Sequence, residues 1–184
     1  MPSISPGARR ARRAAAAISL MLLGAWALTE SAPHWRPYWQ VLTAPAPEHL
    51  AVPVAGVRPQ ALVDTWGAPR PGGREHRGID IFAQRGTPVI SPVPGIVLGI
   101  GQDRLGGNVV RVLGPGRQVH YFAHLDGFAA IRTREWVKPG DILGFVGTTG
   151  NARGTPPHLH YGLYATRGAI NPFPLLRAFP GGTP

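Results

Sequence analysis

Cysteine is absent from the 184 residues, lysine occurs once, at Lys138, and the 9 acidic residues are outnumbered by 19 basic ones. The first absence excludes disulfide scaffolds, thiolate zinc fingers, iron–sulfur sites and cysteine nucleophiles together. Any transition metal must then rest on histidine and carboxylate. No HExxH sequence occurs, so a metal site with a helical glutamate base is excluded as well. After residue 57 no long stretch repeats its apolar residues every 3.6 positions, which argues against a helical bundle. What the chain has instead is 25 glycines, 21 prolines and 43% hydrophobic residues. That is enough apolar material for one core, divided by many turns. The length suits a single catalytic domain.

The formal charge of +10 is partly a matter of targeting. Arg9, Arg10, Arg12 and Arg13 stand directly before the apolar run Ala14–Leu28. A basic stretch, a short apolar run and the small-x-small triplet Ala25-Trp26-Ala27 have the layout of an export signal. The run is shorter than the roughly 20 residues a spanning helix needs. Cleavage after Ala27 would remove those four arginines and lower the charge from +10 to +6. Retention would leave residues 14–28 as a membrane anchor. Either outcome makes this an exported protein of the periplasm or cell envelope. Residues 29–58, punctuated by Pro33, Pro37, Pro45, Pro47 and Pro53, read as a semi-extended linker in which His34 and His49 are solvated. A domain is expected over residues 59–178 and a tail over 179–184.

Within that domain, short runs of β type alternate with glycine turns. Strands are expected at Thr87–Ile90, Gly95–Ile100, Asn108–Leu113, Gln118–Ala123, Asp141–Val146 and His158–Tyr164. The expected fold is mainly β, an antiparallel sandwich or partly closed barrel after an N-terminal signal or anchor helix. All five remaining histidines lie here. In His158-Leu159-His160 a strand would turn Leu159 to the core and both imidazoles to one face. His76 and Asp80, four apart, share one side of either an extended segment or a helical turn. Two histidines and an aspartate leave a tetrahedral metal one open position.

These residues carry a specific resemblance. The segments His76–Ile81, Gly86–Val89, Gly95–Val97, Tyr121–Leu125, Val137–Asp141, Gly147–Gly150, Pro157–Gly162 and Asn171–Pro172 stand in register. In them the chain resembles the lysostaphin and LytM type of zinc endopeptidase, peptidase family M23, which cuts peptides in bacterial cell walls. The resemblance runs from about Asp64 to Leu176. It implies a LytM-type β fold, one zinc ion per chain and peptidoglycan cross-links or stem peptides as substrate. By position it makes His76, Asp80 and His160 the metal ligands, and His158 and His124 the catalytic histidines. Arg70 matches an upstream arginine that could contact substrate, whereas a tyrosine found there in some members has no counterpart. His120 matches no functional position.

Other classes weigh less. M23 relatives that activate cell-wall amidases without cutting peptides usually lack one or more of the five positions, all of which are kept here. Such a regulator would work with cell-wall enzyme partners. Val137–Asp141 also suits a biotinyl or lipoyl carrier hairpin, but Lys138 lacks the attachment turn and the histidines would go unexplained. Nucleic acid is not an expected partner, since the basic residues are dispersed and no binding motif appears.

Overall fold

The computed structural model describes residues 38–178, together with Ile18, Ser19 and Met21. The expected signal or anchor, the start of the linker and the tail over 179–184 therefore lie outside the described residues, apart from those three. Among the described residues no helix is long and apolar enough to cross a membrane.

The domain is antiparallel throughout. Its strands are β1 (Pro69–Arg70), β2 (Arg74–Glu75), β3 (Ile79–Phe82), β4 (Pro88–Ile90), β5 (Gly95–Asp103) and β6 (Gly107–Gly114). They continue with β7 (Gln118–Phe128), β8 (Trp136–Val137), β9 (Ile142–Val146), β10 (His158–Ala165) and β11 (Gly168–Ile170), and a short helix follows at Phe173–Arg177. β1 and β2 form a separate hairpin, and the other nine make one branched, unclosed sheet ordered β11-β10-β7-β6-β5-β8. β3 adds to β10, while β9 joins β4 to the far half of β7. Each of the six expected strands is present within a few residues. β1, β2, β3, β8 and β11, each four residues or fewer, went unforeseen.

Apolar residues turned to one face explain the central ladder. In β6, Val110 and Val112 face inward, and in β10 Leu159, Tyr161 and Leu163 do the same. They meet Val97, Phe122, Leu125, Leu143 and Val146 in one core. Each such side chain contributes about 1.5–3 kcal/mol on burial.

The expected linker needs correction from residue 38 onward. Residues 38–43 are helical, Val41 is buried, and the Tyr38 hydroxyl donates to the Arg134 carbonyl at 3.2 Å. Leu50, Val52 and Val54 belong to the core. Their spacing is that of a strand, one face in at every second residue. Backbone bonds run from Leu50 N–H to Leu175 O at 3.0 Å and from Ile90 N–H to Pro53 O at 3.1 Å. Pro53 is tolerated because the segment lies along an edge, where its missing N–H has no ladder partner to lose.

Candidate metal centre and its cleft

β10 supplies the floor of the site. Leu159 is fully buried, so its neighbours His158 and His160 both turn to the opposite face, as the alternation requires. β3 lies beside it with Asp80 directly across from His160. His76 precedes β3 in an irregular segment, not in a strand or helix. Three ligand atoms converge there. His76 Nε2 lies 2.8 Å from His160 Nδ1 and 3.1 Å from Asp80 Oδ1, and His160 Nδ1 lies 3.2 Å from the same oxygen.

Bonds of about 2.0–2.1 Å in a tetrahedral centre separate ligand atoms by about 3.3 Å. The observed triangle is of that size. The donor chemistry also fits. His76 Nδ1–H donates to the Thr65 carbonyl at 2.7 Å, and a carbonyl can only accept, so the neutral ring turns its Nε2 lone pair into the triangle. Asp80 stays ionised. Burial pushes its pKa up, but the close approach of His160, His76 and Arg70 outweighs burial and holds it well below the usual carboxylate range. Thr65 also receives the Asp80 backbone N–H on Oγ1 at 2.9 Å, so one residue orients two members of the set.

Gly78 lies against the back of the triangle. A Cβ there would meet Tyr161 O at 2.6 Å and the His160 ring at 2.7 and 2.9 Å. Only glycine lets the His160 ring lie where it does.

His124 and His158 flank the triangle with their ring centroids 5.0 Å apart. Both are locked through Nδ1–H, His158 to Pro156 O at 2.8 Å and His124 to Thr149 O at 2.9 Å. In the neutral form, each is therefore left with Nε2 as the free, proton-accepting nitrogen. His158 Nε2 is 3.9 Å from Asp80 Oδ1. Burial, and then the charges of His160 and His158, push His124 down to about 4.

His124 reaches this position through a bulge. The β6–β7 register shifts between Asn108 and Val110, so Ala123 and His124 together oppose Val109. His124 takes a φ of +64°, a left-handed conformation that costs a non-glycine residue about 1–3 kcal/mol. Strict alternation from His120 and Phe122 would have pointed it at the core. The N–H of His124 donates to Gly106 O at 2.7 Å, which holds the kink.

His120 stays on the core side, fully buried, with Nδ1 2.6 Å from the Tyr161 hydroxyl. It has no place in the cleft. Arg70, expected as a substrate contact, is paired with the ligand candidate, its Nη2 2.5 Å from Asp80 Oδ2. It nevertheless lines the cleft, an open cavity of about 1160 Å³ that also contains His76, Asp80, His124, His158 and His160. Sequence reasoning missed Thr65, Gly78 and the Thr149 carbonyl. Gly147–Gly150 was noticed only as part of a family pattern, and backbone carbonyls leave no mark in a sequence.

The sequence profile of Peptidase family M23 matches residues 74–172, more than half the chain. The chain belongs to peptidase family M23. Among M23 relatives it is similar to the L-Ala--D-Glu endopeptidase of Bacillus subtilis strain 168, with 44% identity over 127 residues, 62% of this chain and 39% of that protein. It is 30% identical to lysostaphin of Staphylococcus simulans over 112 residues, 58% of this chain and 22% of that protein. The solved catalytic domain of lysostaphin superposes with a TM-score of 0.56 at 29% identity, covering 63% of this chain and 91% of the domain. The chain thus spans well under half the length of these two full-length M23 relatives.

Proposed function

We propose that the protein is an exported, zinc-dependent endopeptidase that hydrolyses peptide bonds in peptidoglycan cross-links or stem peptides. The observation that carries this reading is the triangle of His76 Nε2, Asp80 Oδ1 and His160 Nδ1 at the floor of an open cleft, flanked by two histidines with free Nε2 atoms. His76, Asp80 and His160 would hold the metal, and zinc suits a donor set of two imidazoles and one carboxylate. Bound zinc supplies Lewis acidity, polarising a carbonyl and acidifying water. The names of the two relatives, an L-Ala--D-Glu endopeptidase and lysostaphin, support the substrate class. Peptidoglycan lies outside the cytoplasm, in keeping with the export signal read at the N-terminus. An anchor over residues 14–28 rests on the sequence alone.

The remaining chemistry falls to His124 and His158. Water adds to the scissile carbonyl carbon and gives up a proton, the C–N bond breaks, and the amine leaves with a proton gained. One neutral imidazole takes the first proton at Nε2. The other, protonated, donates a hydrogen bond to the developing oxyanion and delivers the second. Rigid Nδ1–H anchors keep both rings aimed through this cycle. Arg70 neutralises the outer oxygen of Asp80 and keeps the inner one directed at the triangle.

Digestion of purified peptidoglycan tests the proposal. New peptide termini are expected by mass spectrometry of the fragments, abolished by a chelator and restored by added zinc. Intact peptidoglycan with zinc-loaded protein would overturn it and favour a non-catalytic regulator.

A further inference from the structure

The cleft is more basic than its own carboxylates require. Arg70, Arg74, Arg77, Arg104 and Arg111 line it, against Glu75, Asp80 and Asp103. Every one of those carboxylates is engaged. Asp80 serves His76, His160 and Arg70. Asp103 accepts from Leu105 N–H at 3.2 Å and Gly106 N–H at 2.6 Å on one oxygen. On the other it accepts from the Tyr121 hydroxyl at 2.7 Å and from Arg111 at 2.9 Å. Glu75 lies 3.5 Å from Arg77.

Among the described residues Arg74 and Arg104 have no carboxylate partner, and both are exposed. Arg74 donates only to the Pro71 carbonyl, at 3.3 Å. They come from different hairpins, Arg74 from β2 and Arg104 from the β5–β6 turn, yet border the same cleft. Arg111 adds a third, immobilised guanidinium. It sits 5.1 Å over the Tyr121 ring and keeps further N–H donors beyond the one given to Asp103. Concave walls of one sign concentrate potential, and a guanidinium matches the two oxygens of a carboxylate.

Resting on the hydrolase reading above, we propose that the cleft selects peptides bearing a free carboxylate close to the bond that is cut, and that Arg74 and Arg104 read this group. A neutral amide of the same shape leaves both guanidinium groups without a counter-charge. A free carboxylate supplies that counter-charge. The structure thereby assigns an acidic peptide to a cleft whose metal ligands alone would accept any peptide bond.

Two synthetic peptides of one sequence test this, one with a free carboxylate next to the scissile bond and one with the carboxamide. With zinc-loaded wild-type protein, kcat/KM is expected to favour the acid by about tenfold or more, the scale of a charge-assisted hydrogen bond. That advantage should shrink in about 1 M salt, where the Debye length is about 3 Å. Arg104→Gln and Arg74→Gln should each lower the acid-to-amide ratio, and Arg104→Lys should recover part of it. Both positions are exposed, so folding is not at stake. Equal rates for the two peptides, or a ratio unchanged in both glutamine variants, would overturn the proposal while leaving the hydrolase intact. If neither peptide is cut, the hydrolase reading fails, and calorimetric titration with the same pair decides the carboxylate. Tighter binding of the acid supports selection, and equal binding overturns it.

Discussion

Adding one methyl group and removing one imidazole ring separate metal holding from proton transfer in this site. A methyl group at Gly78 would fall 2.6 Å from the Tyr161 carbonyl and 2.7 Å from the His160 ring. The carbonyl belongs to the β10 ladder and cannot move, so the ring must. Gly78→Ala is therefore expected to cost the protein most of its zinc although residue 78 ligates nothing. His158→Ala removes a side chain that lies beside the triangle and outside it, so zinc should stay at one ion per chain while hydrolysis is lost. Metal analysis of dialysed proteins by mass spectrometry distinguishes the two. Full zinc in Gly78→Ala, or zinc loss in His158→Ala, would contradict the geometry. His158 and His160 could be paired from the sequence because a strand alternates its side chains and Leu159 is apolar. His124 could not be placed that way, since alternation points it to the core. Its place in the cleft was readable only through family resemblance, because the bulge at Ala123–His124 is fixed by a carbonyl, Gly106 O, from another hairpin.

The element that sequence reading placed wrongly is the stretch before β1. Pro45, Pro47 and Pro53 masked the alternation of Leu50, Val52 and Val54, three residues of the core. Proline disqualifies a central strand, yet this segment needs only edge contacts, and those it has through Pro53 O and the Val54–Val89 bridge. Leu50→Ala should cost about 2–5 kcal/mol, as for other fully buried leucines. A solvated tether residue would cost about 0.5 kcal/mol or less. Urea unfolding of the two proteins measures the difference, and an unchanged midpoint would return this segment to the linker. The long ladder strands were legible because their apolar, strand-compatible runs are bounded by glycine turns. Hairpin β1–β2 was not, having two residues per strand and a turn of Pro71, Gly72 and Gly73 that reads equally well as loop. Its placement beside Asp80 is what pairs Arg70 with a candidate metal ligand.

Over the whole molecule, the burial that makes the core also makes the fold sensitive to acid. His120 sits inside the sheet, and burial pushes its pKa down to about 3. Its Nε2 has no hydrogen-bond partner, so nothing in the folded state compensates an added proton. The unfolded chain takes up that proton near pH 6.5. The folded pKa is the lower one, so the unfolded state binds more protons between pH 6.5 and 3. Stability is then complete above pH 6.5 and declines as the pH falls through that window. One such group contributes on the order of 1 kcal/mol per pH unit. Asp80 acts in a different range. Its pKa is depressed from 3.8, so the stability it adds is lost only below about pH 4. His120→Phe removes the first effect and leaves the second. Urea midpoints measured from pH 7 to 4 on both proteins should diverge in slope, the wild type falling more steeply and the variant flatter by about one proton. Parallel curves would mean that His120 is already charged in the fold, or that the core admits water to it. The same comparison is blind to the candidate metal ligands, which are identical in both proteins, and so isolates the cost of keeping one neutral histidine behind the cleft.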